Sequence, residues 1–108
     1  MTVQELSDSL ALKSFHLAEP ERTVTGGYCG DLLSWVMGRA AADSAWLTIM
    51  SNQNVAAVAL MADAACVVLT EGVEPDEALL TKVRMQGINL LGTERSTFDA
   101  AAALAKLL

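Results

Sequence analysis

At 108 residues the chain has room for one domain and one hydrophobic core, so residues 1–108 are read as a single unit. A net charge of −6 and a pI near 4.5 set it against phosphate backbones and anionic lipid headgroups, which argues against nucleic acid and membrane surfaces as partners. Apolar residues make up 53% of the chain, more than so small a domain can bury, so part of the apolar surface is expected to be covered by a partner, most simply a second copy in a homodimer.

The first ten residues carry Glu5 and Asp8 and no basic residue, unlike a signal peptide. The longest apolar run, Val55–Ala62, is far short of the roughly 20 residues that cross a bilayer. Cys29 and Cys66 stand in unrelated segments and read as small hydrophobes, not as a disulfide framework. The chain is therefore expected to be cytoplasmic.

Thr2 with Glu5 forms a capping box that predicts a first helix over Val3–Leu10. A short strand is expected at Lys13–Leu17, followed by a turn at Glu19-Pro20-Glu21. Thr23–Cys29 reads as extended, with Gly26-Gly27 marking a bulge or a close backbone approach. Asp31 stands where it can cap a helix bearing Leu32, Leu33, Val36 and Met37, and Gly38 is placed to end it. Asp43-Ser44 makes a turn into a strand over Trp46–Met50, bounded by Ser51-Asn52-Gln53-Asn54. Val55–Met61 reads as a short apolar helix, and Ala65–Leu69 as a strand buried on both faces. Pro75 at a first helical position, with Asp76 and Glu77 behind it, opens a helix that Gly87 stops. Ile88–Leu91 is the last strand, and Ser96 with Asp99 caps a final helix over Thr97–Leu107. Repeated β-α-β units with short connections predict an α/β fold, a largely parallel sheet of about five strands covered by helices.

Open α/β sheets bind ligands outside the carboxyl ends of their strands. The segments Cys29-Gly30-Asp31, Ser51-Asn52-Gln53-Asn54, Thr70-Glu71-Gly72 and Thr93-Glu94-Ser96 all follow such ends. Several open helices, whose free amides suit anions. The residues singled out for a small-molecule pocket are Asp31, Ser51, Asn52, Asn54 and Thr93, together with Arg22, Thr25, Gly26 and Gly27 from the preceding loop. Each also has a plain structural reading: caps and turns for the strand-end residues, a positive-φ turn for the glycines, and pairing with Glu19 or Glu21 for Arg22. Asp31, Glu71 and Glu94 at one end disfavour a bare anion, and no phosphate-binding loop is present.

No catalytic dyad is legible. A nucleophilic Cys29 would need a base, and the single histidine, His16, reads as a strand-surface residue. Two isolated cysteines do not make a zinc or iron–sulfur site, so no cofactor is expected. Trp35 and Met37 lie on a helix apolar on more than one face, which makes that helix the expected dimer surface.

The run Glu21-Arg22-Thr23-Val24-Thr25-Gly26-Gly27, continuing through Tyr28–Ser34, resembles the signature of the DRTGG-domain family. The resemblance extends through Trp46-Leu47-Thr48, Asn54–Ala59, Glu71-Gly72 with Pro75-Asp76, and Gly87-Ile88. Glu21 stands where the family has Asp, and Asn52 where close relatives carry His, which puts any imidazole role there in doubt. The resemblance implies a fold like the N-terminal domain of HPr kinase/phosphorylase. It implies a regulatory, ligand-sensing or protein-docking module of the kind found within phosphotransacetylases and CBS-domain proteins, or standing alone beside iron-only hydrogenase genes. A non-enzymatic module with a small ligand and a partner enzyme is the resulting expectation. An enzyme of acyl or phosphoryl chemistry, or a structural subunit, are its alternatives.

Overall fold

The computed structural model describes all 108 residues as ten elements in chain order. They are α1 (Val3–Leu10), β1 (Lys13–His16), β2 (Gly26–Cys29), α2 (Leu33–Arg39), β3 (Ser44–Thr48), α3 (Asn54–Met61), β4 (Cys66–Leu69), α4 (Glu77–Gln86), β5 (Leu90–Gly92) and α5 (Thr97–Leu107). The five strands form one sheet in the order β1-β5-β4-β3-β2. Strands β2 to β5 run parallel, and β1 closes the far edge antiparallel to β5, with Lys13 opposite Gly92. The largely parallel α/β expectation holds. No helix is long and apolar enough to cross a membrane.

Two apolar layers follow from the period-2 alternation of strand side chains. Trp46, Val67, Leu69 and Leu90 point to one face, where Val36, Val55, Leu79 and Val83 of α2, α3 and α4 cover them. Ala45, Leu47, Cys66, Val68 and Leu91 point to the other, beneath Val3 and Leu6 of α1 and Ala100 and Leu104 of α5. Central strands β3 and β4 are buried at every position because helices cover both faces. Truncating a fully buried core leucine such as Leu90 to alanine would cost about 2–5 kcal/mol.

The helix ends show which local signals operate. The Thr2–Glu5 capping box forms in full, and Asp76 and Ser96 cap α4 and α5 through the amides of Leu79 and Asp99. Gly87 ends α4 in the left-handed conformation at φ +68°. Pro75 falls outside the helix, because Asp76 rather than Pro75 takes the position where a side chain can accept the third amide.

Several expectations are corrected. Asp31 does not cap α2, whose first turn follows Leu32 with no side-chain cap. The Asp31 carboxylate accepts from Thr48 Oγ1 (2.8 Å) and the Ile49 amide (3.0 Å) instead. These bonds, with the Met50 amide donating to Thr48 Oγ1, divert the chain out of the ladder after Thr48. The third strand therefore spans Ser44–Thr48, not Trp46–Met50. Gly38 lies inside α2, which ends at the extended Ala40. The last strand is Leu90–Gly92, since the Ile88 amide still closes the end of α4 on the Val83 carbonyl. Gly26 and Gly27 form no bulge; they pair in register with Ser44 and Ala45. Gly27 is needed because a Cβ there would sit 2.9 Å from Leu104 Cδ2, so α5 rests on bare backbone.

Candidate functional site

The parallel strands β2, β3, β4 and β5 deliver four loops to one edge of the sheet, where their carboxyl ends lie side by side. After β2, the Gly30 carbonyl accepts the Trp46 indole N–H at 2.9 Å, and Asp31 is fastened to Thr48 and Ile49. After β3, the Ser51 carbonyl accepts the Asp76 amide, and Asn52 Oδ1 accepts the Asn54 amide at the start of α3. After β4, the buried Thr70 hydroxyl meets that of Thr97 at 2.6 Å, while Glu71 and Gly72 both take left-handed backbone, at φ +60° and +73°. Glu71 then reaches the Thr97 amide at 2.8 Å, adding a carboxylate to the N-terminus of α5. After β5, Thr93 Oγ1 accepts the Arg95 amide. Asp31 and Glu71 are thus engaged by the chain's own amides, which accounts for two of the acidic groups at this end.

Beside these loops, where β1 meets β5, opens a cleft of about 350 Å³ walled by Leu10, Phe15, Val73, Thr93 and Arg95. Lys13 Nζ stands 5.0 Å from the centroid of the Phe15 ring and 3.1 Å from Glu74. One guanidinium nitrogen of Arg95 donates to the Leu10 carbonyl at 2.7 Å. Two glycines let the walls approach: a Cβ at Gly72 would lie 2.5 Å from Glu94 Oε2, and one at Gly92 would lie 2.5 Å from Phe15 Cε2. The cleft offers an aromatic face, two cations and the carboxylates of Glu74 and Glu94. An aromatic ring with adjoining cations suits a planar group carrying phosphate or carboxylate.

The nine residues singled out from the sequence separate. Asp31, Ser51, Asn52, Asn54 and Thr93 lie along the carboxyl edge, and of these Thr93 alone lines the cleft. Asp31 follows β2 and Thr93 follows β5, three strand spacings apart or roughly 14 Å. Arg22 lies at the opposite edge, against the residues that precede β3 and β4. Its guanidinium bonds Asp43 (3.0 Å) and the carboxylate (2.7 Å) and carbonyl (2.8 Å) of Asp63, with Glu19 at 3.7 Å. Burial works against its charge, but Asp63 and Asp43 outweigh that and raise its pKa above the ordinary value. Thr25 donates its amide to the Asp43 carbonyl at that same edge, where Gly26 begins β2, and Gly27 lies under α5. The sequence reading did not name Lys13, Phe15, Glu74 or Arg95. Lys13 and Phe15 reach the cleft only because β1 runs antiparallel beside β5, a pairing that no local pattern announces.

Neither thiol is activated. Burial first, and Asp31 second, push the Cys29 thiol up, and burial pushes Cys66 up to about 12. His16 sits half-buried on β1, the edge strand opposite β2. Three or more His, Cys, Asp or Glu side chains nowhere gather as a metal site would require.

A comparison with curated proteins finds no match. Among solved structures the chain is similar to the crystal structure of the CBS and DRTGG domains of the regulatory region of Clostridium perfringens pyrophosphatase, complexed with the activator diadenosine tetraphosphate. The two align with a TM-score of 0.76 at 12% identity, over 99% of this chain and 47% of that one, so the likeness is one of fold. The chain spans about half the length of that regulatory region. The family model of the DRTGG domain matches residues 36–107, from α2 through the whole of α4 to the end of α5, and the chain belongs to the DRTGG-domain family.

Proposed function

We propose that the chain is a non-catalytic regulatory module that binds a small phosphorylated ligand at the carboxyl edge of its sheet and acts in the cytoplasm on a partner enzyme, as a homodimer. The observation that carries this reading is the fold: over 99% of its length the chain superposes on part of a pyrophosphatase regulatory region crystallised with a nucleotide activator. The cleft beside β5 supports the ligand class. The Phe15 ring can stack on a base, and Lys13 and Arg95 stand ready for phosphate, Lys13 exchanging its exposed bond to Glu74. Hydrogenases and enzymes of acyl-phosphate metabolism, the settings in which the resemblance places such domains, are the first partners to try. The raised thiol of Cys29 works against a cysteine nucleophile.

Isothermal titration with diadenosine tetraphosphate, ATP and acetyl phosphate tests the reading. Saturable binding of at least one is expected, with affinity falling at least tenfold in Lys13→Glu while the thermal midpoint stays within 2 °C or so, as for an exposed substitution. Binding that survives Lys13→Glu would move the site elsewhere. No heat with any of the three would sink the phosphorylated-ligand proposal.

A further inference from the structure

Strand β2 pairs only with β3, so its outer edge is open. The Gly30 amide bonds inward to the Leu47 carbonyl, and backbone groups alternate along a strand, so the N–H and C=O of Gly27 and Cys29 point outward. Such an edge is a template for another strand.

Both flanks of the edge are apolar. On one face, an apolar groove of about 340 Å³ runs between β2 and α5, with Leu47 and Leu104 in its floor and the exposed Leu108 and Cys29 at its rim. None of its ten lining side chains carries charge at neutral pH, in a chain of net charge −6. On the other face lies α2. The β2-α2-β3 crossover is right-handed by rule, and each helical residue turns about 100° from the last. With Val36 facing the core, that geometry swings Leu32 and Trp35 toward the open edge and Met37 toward α3. Leu32 and Trp35 are 57% and 51% exposed, and Arg39 stacks on the Trp35 ring at 3.7 Å.

The geometry points to this strip as the seat of a second copy of the chain. Two β2 strands pair antiparallel about a twofold axis through Tyr28, Gly27 of each opposite Cys29 of the other, to give one continuous ten-stranded sheet. The choice of a second copy rests on charge and symmetry. Two chains of net charge −6 repel over most of their surface, and this groove brings no charged side chain to the contact. An antiparallel pair of identical strands is self-complementary, as a twofold interface must be. A stable interface needs about 800 Å² from each partner, about 15% of the chain's 5292 Å² and within reach of one side of a body 31 × 26 × 25 Å. The inference assigns a surface to the homodimer proposed above and rests on it, moving the contact from the face of α2 alone to the β2 edge between α2 and α5.

Native mass spectrometry and light scattering on the wild type, Cys29→Pro and Leu108→Glu form the test. Cys29→Pro removes one outward amide without touching the β3 ladder, and Leu108→Glu charges the rim at an exposed position that folding does not need. A wild-type dimer is expected, with dissociation at least tenfold easier in both variants and unchanged circular dichroism. In the same dimer a short bis-maleimide is expected to join two chains through Cys29, the only exposed thiol. If the wild type is a dimer and Leu108→Glu with intact circular dichroism dimerises as well, the β2 assignment is wrong while self-association stands. A wild-type monomer at micromolar concentration overturns both.

Discussion

Arg22 gives the sharpest contrast between a residue that binds a ligand and one that holds the fold. Its side chain is 23% exposed and donates to Asp43 and twice to Asp63, both of which hold left-handed backbone, at φ +65° and +55°. Asp tolerates that conformation better than most residues, and the guanidinium ties the two turns together. Arg22→Met keeps the apolar stem and removes every one of these bonds. Hydrogen bonds to charged groups contribute about 1.5–3 kcal/mol when shielded, but Asp43 and Asp63 are 46% and 68% exposed, so each partner is discounted to about 1 kcal/mol. The expected loss is about 2 kcal/mol, a large share of the 5–15 kcal/mol typical of a domain, or roughly 10 °C in melting midpoint. Urea unfolding followed by circular dichroism measures it, with an unchanged slope expected. A loss under about 0.5 kcal/mol, coupled with weakened ligand binding, would refute the structural reading and return Arg22 to a ligand site.

Thiol chemistry and acid stability offer two further checks. With burial and Asp31 pushing the Cys29 thiol up and burial pushing Cys66 up to about 12, Ellman's reagent is expected to titrate Cys29 slowly and Cys66 only after unfolding. Rapid modification of Cys29 at neutral pH would revive the nucleophile. Glu5 accepts the Thr2 amide at 2.9 Å, and this bond and the Thr2 hydroxyl lower its pKa below the ordinary 4.5. Its contribution is therefore present above pH 4.5 and lost as pH falls through the lower folded value. The midpoint gap between wild type and Glu5→Gln is expected to be open at pH 7 and to close near pH 3, and a gap of equal size at both would contradict the capping box.

The sequence carried the local chemistry further than the tertiary pairing. Thr2-Glu5, Asp76, Ser96 and Gly87 act within three residues of their partners, so their caps were readable from spacing alone. The run Cys66–Leu69 was readable because burial on both faces removes polar alternation. Asp31 was misplaced because a carboxylate ahead of a helix reads as a cap, whereas its partners Thr48 and Ile49 lie on the next loop and appear only after β2 and β3 pair. Arg22 read as a ligand-site candidate or a partner of Glu19 or Glu21, its neighbours in sequence, because its main partners Asp43 and Asp63 stand 21 and 41 residues away. The position of Thr93 at the carboxyl edge was legible from the β-α-β rhythm. Phe15 and Lys13 were not, since a four-residue edge strand carries no sign of its neighbour or direction.

The cleft and the open edge of β2 lie at opposite sides of the sheet, so a ligand at one cannot touch a partner at the other. One element spans the gap. Helix α5 begins at Thr97, capped by Ser96 directly after Thr93 and Arg95 of the cleft, and its first turn is held by Thr70 and Glu71. Eleven residues later, about 16 Å along, it ends at the rim of the β2 groove, resting on Gly27 through Leu104. On the proposed reading, a ligand that draws Arg95 off the Leu10 carbonyl and moves its backbone would shift the start of α5, and a rigid helix would carry that shift to Leu104 and Leu108. On the proposed reading, ligand and second copy are then coupled through α5, and the coupling is reciprocal: whatever factor the ligand adds to dimer affinity, dimerisation adds to ligand affinity. Gly27→Ala probes that coupling, because a Cβ there would lie 2.9 Å from Leu104 Cδ2 and displace the Leu104 side chain from the edge strand while leaving the cleft's own walls in place.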